Sequence, residues 1–375
     1  MGLVNNGIVY VQDTETKDVI RFFEGALEEI HIPTGVKALP NYTLYYNSAV
    51  KKIFVPPSVT TVASYFAEGS SVTEIVLDTP LLTDVGSNFA RSSSIVRIKL
   101  PESLEKADRE LLRYCSKLKV VVFNRRGSFS FTYGFLDTSP NAQICAYRGS
   151  NAINQAGSRP YYYISEEADL EASEGVVTGY TGTEVYVAIP EKAGNINVSE
   201  LRGTFADNVS VERVMILGNT YRIGDYTFSG CTALTKFDMY DDTATEYGAY
   251  SFCGCASLTD MYFSPILEII GEYAFGGCTA LAKISLPDSL KFIGTGAFDE
   301  CSALADITLE NGFDAVGLDL SATAAFSEAT AAAMFNALKD RTDEEPNTVK
   351  LGADNIARLP ESVLAVATAK NWNII

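Results

Sequence analysis

Between Ile223 and Leu309 the chain writes one pattern four times: Ile223-Gly224…Phe228…Cys231…Leu234, Gly248…Phe252…Cys255…Leu258, Ile270-Gly271…Phe275…Cys278…Leu281 and Ile293-Gly294…Phe298…Cys301…Leu304. A period of about 23 residues leaves few architectures open, because a coil this short cannot bury its own apolar residues and must stack on its neighbours, as in a solenoid. After the leucines, Lys283-Ile284-Ser285-Leu286-Pro287 and Asp306-Ile307-Thr308-Leu309 alternate polar and apolar residues. That alternation predicts short strands with Ile and Leu pointing inward. The expected fold is mostly β, a solenoid with a parallel sheet and an α/β C-terminal part.

The same frame runs more faintly upstream. Val50, Val72, Ile95 and Leu118 take the leucine slot, Ile53, Ile75, Ile98 and Val121 the strand slot, and Phe66, Phe89 and Leu112 the phenylalanine slot. Asn47, Gly69, Ser92 and Cys115 then fall in the cysteine slot. Pro33, Pro56 and Pro101 follow strands, where a missing N–H ends the ladder. Residues 1–26 read as a capping hairpin, with Ile8, Tyr10, Val19, Ile20 and Phe22 flanking the polar Asp13–Asp18 segment. Between Tyr147 and Val185 the frame lapses, either as an end coil and linker or as an irregular insert. Val187, Phe205, Asn208, Val211, Val214 and Ile216 resume it. The expected division is 1–26 as N-terminal cap, 27–165 and 166–312 as two arrays, and 313–375 as C-terminal cap.

In that last part Leu318–Leu320 and Val349–Leu351 read as strands. Ser327 reads as the cap of a helix bearing Ala331, Met334, Phe335 and Leu338, Pro360 as the start of a second helix, and Trp372–Ile375 as a closing strand.

The phrase "IG..AF..C..L..I.LP" resembles the BspA-like class of bacterial leucine-rich repeats. The line "LGADNIARL…AVATAKNW" resembles the closing module of such proteins and of related bacteriophage-encoded ones. The resemblance implies a ligand-binding or adhesive scaffold, usually at a cell surface, and names no ligand.

Composition narrows the partners. A net charge of −18 disfavours nucleic acid and anionic membrane, which call for clustered Lys and Arg. No run approaches the roughly 18 apolar residues of a membrane helix. Met1-Gly2-Leu3-Val4-Asn5-Asn6 lacks the features of a signal peptide, and Asn6 breaks the myristoylation pattern. Of the seven cysteines, those at 231, 255, 278 and 301 share one inward slot and are expected to be reduced and buried. Cys253 and Cys255 lack the spacing of a zinc knuckle, and no metal or cofactor is expected. The one histidine, His31, falls between inward isoleucines and so on an exposed strand face. Asp238, Asp241 and Asp242 match no calcium loop. Asn41-Tyr42-Thr43, Asn197-Val198-Ser199 and Asn208-Val209-Ser210 match the glycosylation triplet, although Asn208 lies in the cysteine slot. No catalytic residues, and no enzyme, are expected.

With the inward positions committed to the core, the outward strand residues are free to bind. These are Phe54, Val76, Lys99 and Val122 in the first array and Met215, Asp238, Tyr262, Ser285 and Thr308 in the second. Several are more apolar than a solvated face requires, which can mark a partner site. It can also reflect strand propensity, or cover by the segment where the frame lapses. The expected function is protein or glycan binding, or adhesion, at the bacterial cell surface. The alternative is a structural or receptor-binding part of a phage particle.

Overall fold

The structure, a computed structural model, describes residues 4–5, 8–10, 20–23, 27–107, 110–131, 136, 139, 141–155, 159, 161–324 and 326–375. The polar segment read over Asp13–Asp18, with Val19, lies outside them, as do Met1–Leu3 and Asn6 of the start. The chain divides into two compact units, Met1–Ile164 and Ser165–Ile375.

In the first unit, Val4–Asn5, Ile8–Tyr10 and Ile20–Phe23 form an antiparallel sheet. The coils follow. Glu29–His31, Lys52–Val55, Glu74–Leu77, Arg97–Leu100, Val120–Phe123, Gln143–Tyr147 and Tyr161–Ile164 pair in parallel, each with the next. Ile53, Ile75, Ile98, Val121 and Ile144 share one register row and are all buried. Shorter strands, Ala38–Leu39, Thr61–Val62, Asp84–Val85, Lys106–Ala107 and Ser130–Phe131, make a second parallel sheet. Parallel sheets are stable where their inner faces are covered, and here one continuous apolar core does so.

The second unit opens on an antiparallel hairpin, Leu170–Ser173 with Val176–Tyr180. Its second strand leads a parallel row through Glu200–Leu201, Arg222–Ile223, Glu246–Tyr247, Ile269–Ile270 and Phe292–Ile293. The other face is built from Tyr186–Ile189, Arg213–Ile216, Lys236–Met239 and Asp260–Met261, and from the pair Lys283–Leu286 and Asp306–Leu309. Between the faces the phenylalanines stack coil on coil. Centroids are 5.2 Å apart for Phe205–Phe228, 5.0 Å for Phe228–Phe252, 5.2 Å for Phe252–Phe275 and 5.6 Å for Phe275–Phe298.

The cysteines lie beside this stack and also bond across it. Cys231, Cys255, Cys278 and Cys301 donate to the carbonyls of Phe205, Phe228, Phe252 and Phe275, one coil earlier, at 3.0, 3.1, 3.2 and 3.2 Å. Burial pushes the Cys231 and Cys301 thiols up to about 12. The cysteines are in the thiol form, and all but Cys253 are buried.

Coil-to-coil hydrogen bonds correct the upstream slots. Phe228 N–H donates to the carbonyl of Ser251, the residue before Phe252, and Ala67 N–H donates in the same way to Phe89, the residue before Ala90. Ala67 and Ala90 therefore hold the phenylalanine positions, not Phe66 and Phe89. Those two rings take the place of the small Thr227 and Ser251 and stack on each other at 5.2 Å. Large and small residues have exchanged adjacent positions, which keeps the packed volume nearly constant. The cysteine slot shifts with them, from Gly69 and Ser92 to the buried Ser70 and Ser93. Cys115 donates at 3.0 Å to the Ala90 carbonyl, as its downstream counterparts do to phenylalanine carbonyls.

At the C-terminus, helix α1 (Glu328–Ala337) is capped by Ser327, whose side chain accepts from Thr330 N–H. Its last carbonyls, Asn336 and Leu338, accept from Lys370 Nζ at 2.6 and 2.8 Å, where a cation also suits the helix dipole. Asn347–Val349, two residues before the strand read at Val349–Leu351, pairs in parallel with Trp372–Ile374, one residue shorter than read, and 318–320 contributes a single bridge from Asp319 to Lys350. Helix α2 (Ala353–Ile356) was not expected, and Pro360 is the N-cap of α3 (Glu361–Ala369). Trp372 is buried and its indole N–H donates to Lys339 at 2.8 Å. No described helix is long and apolar enough to cross a membrane.

Candidate functional site

Register places His31, Phe54, Val76, Lys99, Val122, Cys145 and Tyr162 in one outward row of the first unit. Ala188, Met215 and Asp238 form the corresponding row of the second unit, and Ser285 pairs with Thr308. Exposure varies along each row. His31 is exposed, and Phe54, Val76 and Lys99 are half-buried. Asp238 and Tyr262 are half-buried, while Ser285 and Thr308 are exposed.

Two of the expected binding residues are not on a surface. Val122 is 0% exposed, with Cys145 and Tyr162 beside it, and Met215 is 1% exposed beside the buried Ala188. Register decides the side on which a residue leaves its strand, and burial shows that this side is covered at Val122 and Met215. Tyr262 is also less free than its register implies. Its hydroxyl donates to Asp242 at 2.5 Å, its carbonyl accepts from Tyr247 at 2.8 Å, and its ring packs on the core. Asp238 is paired with Lys236 at 3.3 Å. Asp238 and Asp242 thus have side-chain partners of their own.

The open part of the first row is the more coherent surface. The His31 ring stacks on Phe54 at 4.2 Å with a 6° interplanar angle, and its Nε2 lies 2.9 Å from Glu29. Lys52 Nζ sits 4.9 Å from the Phe54 centroid and pairs with Glu74, which also meets Arg97 at 3.5 Å. An aromatic and aliphatic centre thus lies between charged pairs, the arrangement that concentrates binding energy at interfaces.

A second aromatic feature, on the turn side of the coils, escaped the reading of the sequence. Tyr42, Tyr65, Tyr226, Tyr250 and Tyr273 adopt positive φ at one recurring turn position, and Tyr46 and Tyr114 do so at another. Bulky residues rarely adopt that conformation. The rings stack: Tyr42 on Tyr65 at 5.0 Å, Tyr226 on Tyr250 at 5.1 Å and Tyr250 on Tyr273 at 5.4 Å. The signal was present as a tyrosine two places before Phe228, Phe252 and Phe275.

Comparison with known families matches the family described as the BspA type leucine rich repeat region to residues 20–137 and 202–326, in 6 copies. These segments make up more than half of the chain, and the protein belongs to that family. Such repeats are of the bacterial surface type and suggest a binding scaffold. No curated protein matches the chain. Among solved structures, the leucine rich repeat protein of T. pallidum is 27% identical, covers 53% of this chain and 89% of its own, and has a TM-score of 0.40. A leucine-rich repeat protein from Bacteroides ovatus is 17% identical over 100% of this chain and 99% of its own, with a TM-score of 0.30. A leucine rich cell surface protein from Faecalibacterium prausnitzii is 16% identical over 90% and 93%, with a TM-score of 0.27.

Proposed function

We propose that this protein is a non-enzymatic binding scaffold of the bacterial cell surface that holds a protein or glycan ligand on the outward sheet face of its first unit. The observation that carries this reading is the row His31, Phe54, Val76 and Lys99, with the Lys52–Glu74–Arg97 pairs along its flank. The second unit has a row of its own, in which Asp238, Tyr262 and Ser285 are more polar, and Val122 and Met215 serve packing rather than contact. The reading is tested by probing protein and glycan arrays with the wild-type chain and with Phe54→Ala. Binders that weaken at least tenfold with Phe54→Ala support it, as expected when an aromatic anchor is lost. Binders indifferent to Phe54→Ala, Val76→Asp and Lys99→Glu would remove this face from the account.

A further inference from the structure

The tyrosine ladder of the second unit ends abruptly. Its last ring, Tyr273, leans over the next coil: a Cβ at Gly296 would run into it, so glycine there makes room for it. At the other end stands Gly203, in the same turn position with φ of 58°, and a Cβ built on it meets nothing within 4 Å. Tyr226 therefore has Tyr250 stacked on one side, with an interplanar angle of 0°, while on the other the preceding coil offers a glycine in place of a ring. It is 51% exposed.

The turns that bear this ladder are acidic. The turn segments 203–210, 225–233, 249–257, 272–280 and 295–303 carry Asp207, Asp225, Glu272, Asp299 and Glu300 and no lysine or arginine. The arginines nearest in sequence are engaged: Arg202 by Glu200, and Arg222 by Glu200, Asp225 and Glu246.

The first unit shows what such a ring accepts. Tyr114, also at positive φ on the turn side, has the guanidinium carbons of Arg91 and Arg113 at 4.9 and 4.8 Å from its centroid. Those arginines pair with Glu68 and Glu110. Tyrosine, guanidinium and carboxylate are thus assembled within one chain there, whereas the arginines near the second unit's ladder, Arg202 and Arg222, are held by Glu200, Asp225 and Glu246.

We propose that the Tyr226 end of the ladder, with Asp207 in the same turn segment as Gly203, is a docking site for an arginine-bearing segment of a partner protein. The planar guanidinium stacks on the open face of Tyr226, and the acidic turns attract it. A guanidinium suits the site better than an ammonium because it is flat and weakly hydrated. This site is separate from the sheet face and stands without it.

The test is fluorescence anisotropy of a labelled Gly-Arg-Gly-Arg-Gly peptide at low ionic strength, with a citrulline version as the flat but uncharged control. Binding should weaken about tenfold for the citrulline peptide and for Tyr226→Gly, the scale of a cation–π contact. Tyr226→Gly should fold normally, because Gly203 and Gly296 already hold this place in their coils. Tyr226→Leu, which keeps bulk without the ring, should show the same loss. Equal affinity for wild type and both variants would reduce the effect to diffuse charge attraction and overturn the site. Absence of arginine-peptide binding, or displacement of the peptide by a neutral oligosaccharide, would overturn it as well.

Discussion

Cys231, Cys255, Cys278 and Cys301 are each held by burial and by a carbonyl one coil away. Their thiols are raised above the ordinary range, so the neutral form is the one that the fold retains. A group whose folded pKa exceeds its unfolded value favours the fold fully below the unfolded pKa. That contribution is lost as pH rises toward the folded value. For these thiols the loss begins near the unperturbed cysteine pKa of about 8.5 and runs up to about 12 for Cys231 and Cys301. Thiol titration at neutral pH should label Cys253 and leave the other six cysteines silent until unfolding. Chemical denaturation between pH 7 and 10 should show stability falling with pH, and by less in a Cys231→Ala, Cys301→Ala variant measured against its own neutral value. Tyr262 is a second case in which one contact changes the expectation. With its hydroxyl on Asp242 and its ring against the core, Tyr262→Ala should lower the melting temperature, although its register alone argues for little effect.

At the scale of the element, a coil is held by the coils before and after it more than by itself. Phe275 is buried between Phe252 and Phe298, with Tyr247 and Phe263 at its edges. Phe275→Ala should cost about 3 to 5 kcal/mol, the range for a buried aromatic, in urea unfolding followed by circular dichroism. A loss below about 1 kcal/mol would place the ring outside the stack. The inward rows were legible in the sequence because burial there depends on a period, and the period survives in Ile53, Ile75 and Ile98 as clearly as in Phe228 and Phe252. The exchange at Phe66-Ala67 and Phe89-Ala90 was not legible. Both residues of each pair are apolar, and only the partner carbonyl tells which one holds the ladder. Cover of the outward row was one of the readings left open, and the pattern alone could not say that it falls on Val122 and Met215. The positive-φ tyrosines were hidden for a third reason: intrinsic propensity argues against them, and neighbour stacking overrides it.

For the whole molecule, the central claim is that the repeated coils are equivalent units whose stability comes from stacking on neighbours. Gly248 and Gly271 occupy the same place in consecutive coils, as do Tyr247 and Ile270, which pair in register. Removing residues 248–270 joins Tyr247 to Gly271 in frame and brings Phe228 against Phe275. Removing 248–258 takes away half a coil and puts every later inward residue out of step. Thermal unfolding followed by circular dichroism compares the two. The whole-coil deletion should fold and melt cooperatively, with a melting temperature lowered by several degrees, about what the loss of a few kcal/mol produces in a domain of this size. The half-coil deletion should lose the cooperative transition of its unit. Equal damage from both deletions would contradict the equivalence of the coils.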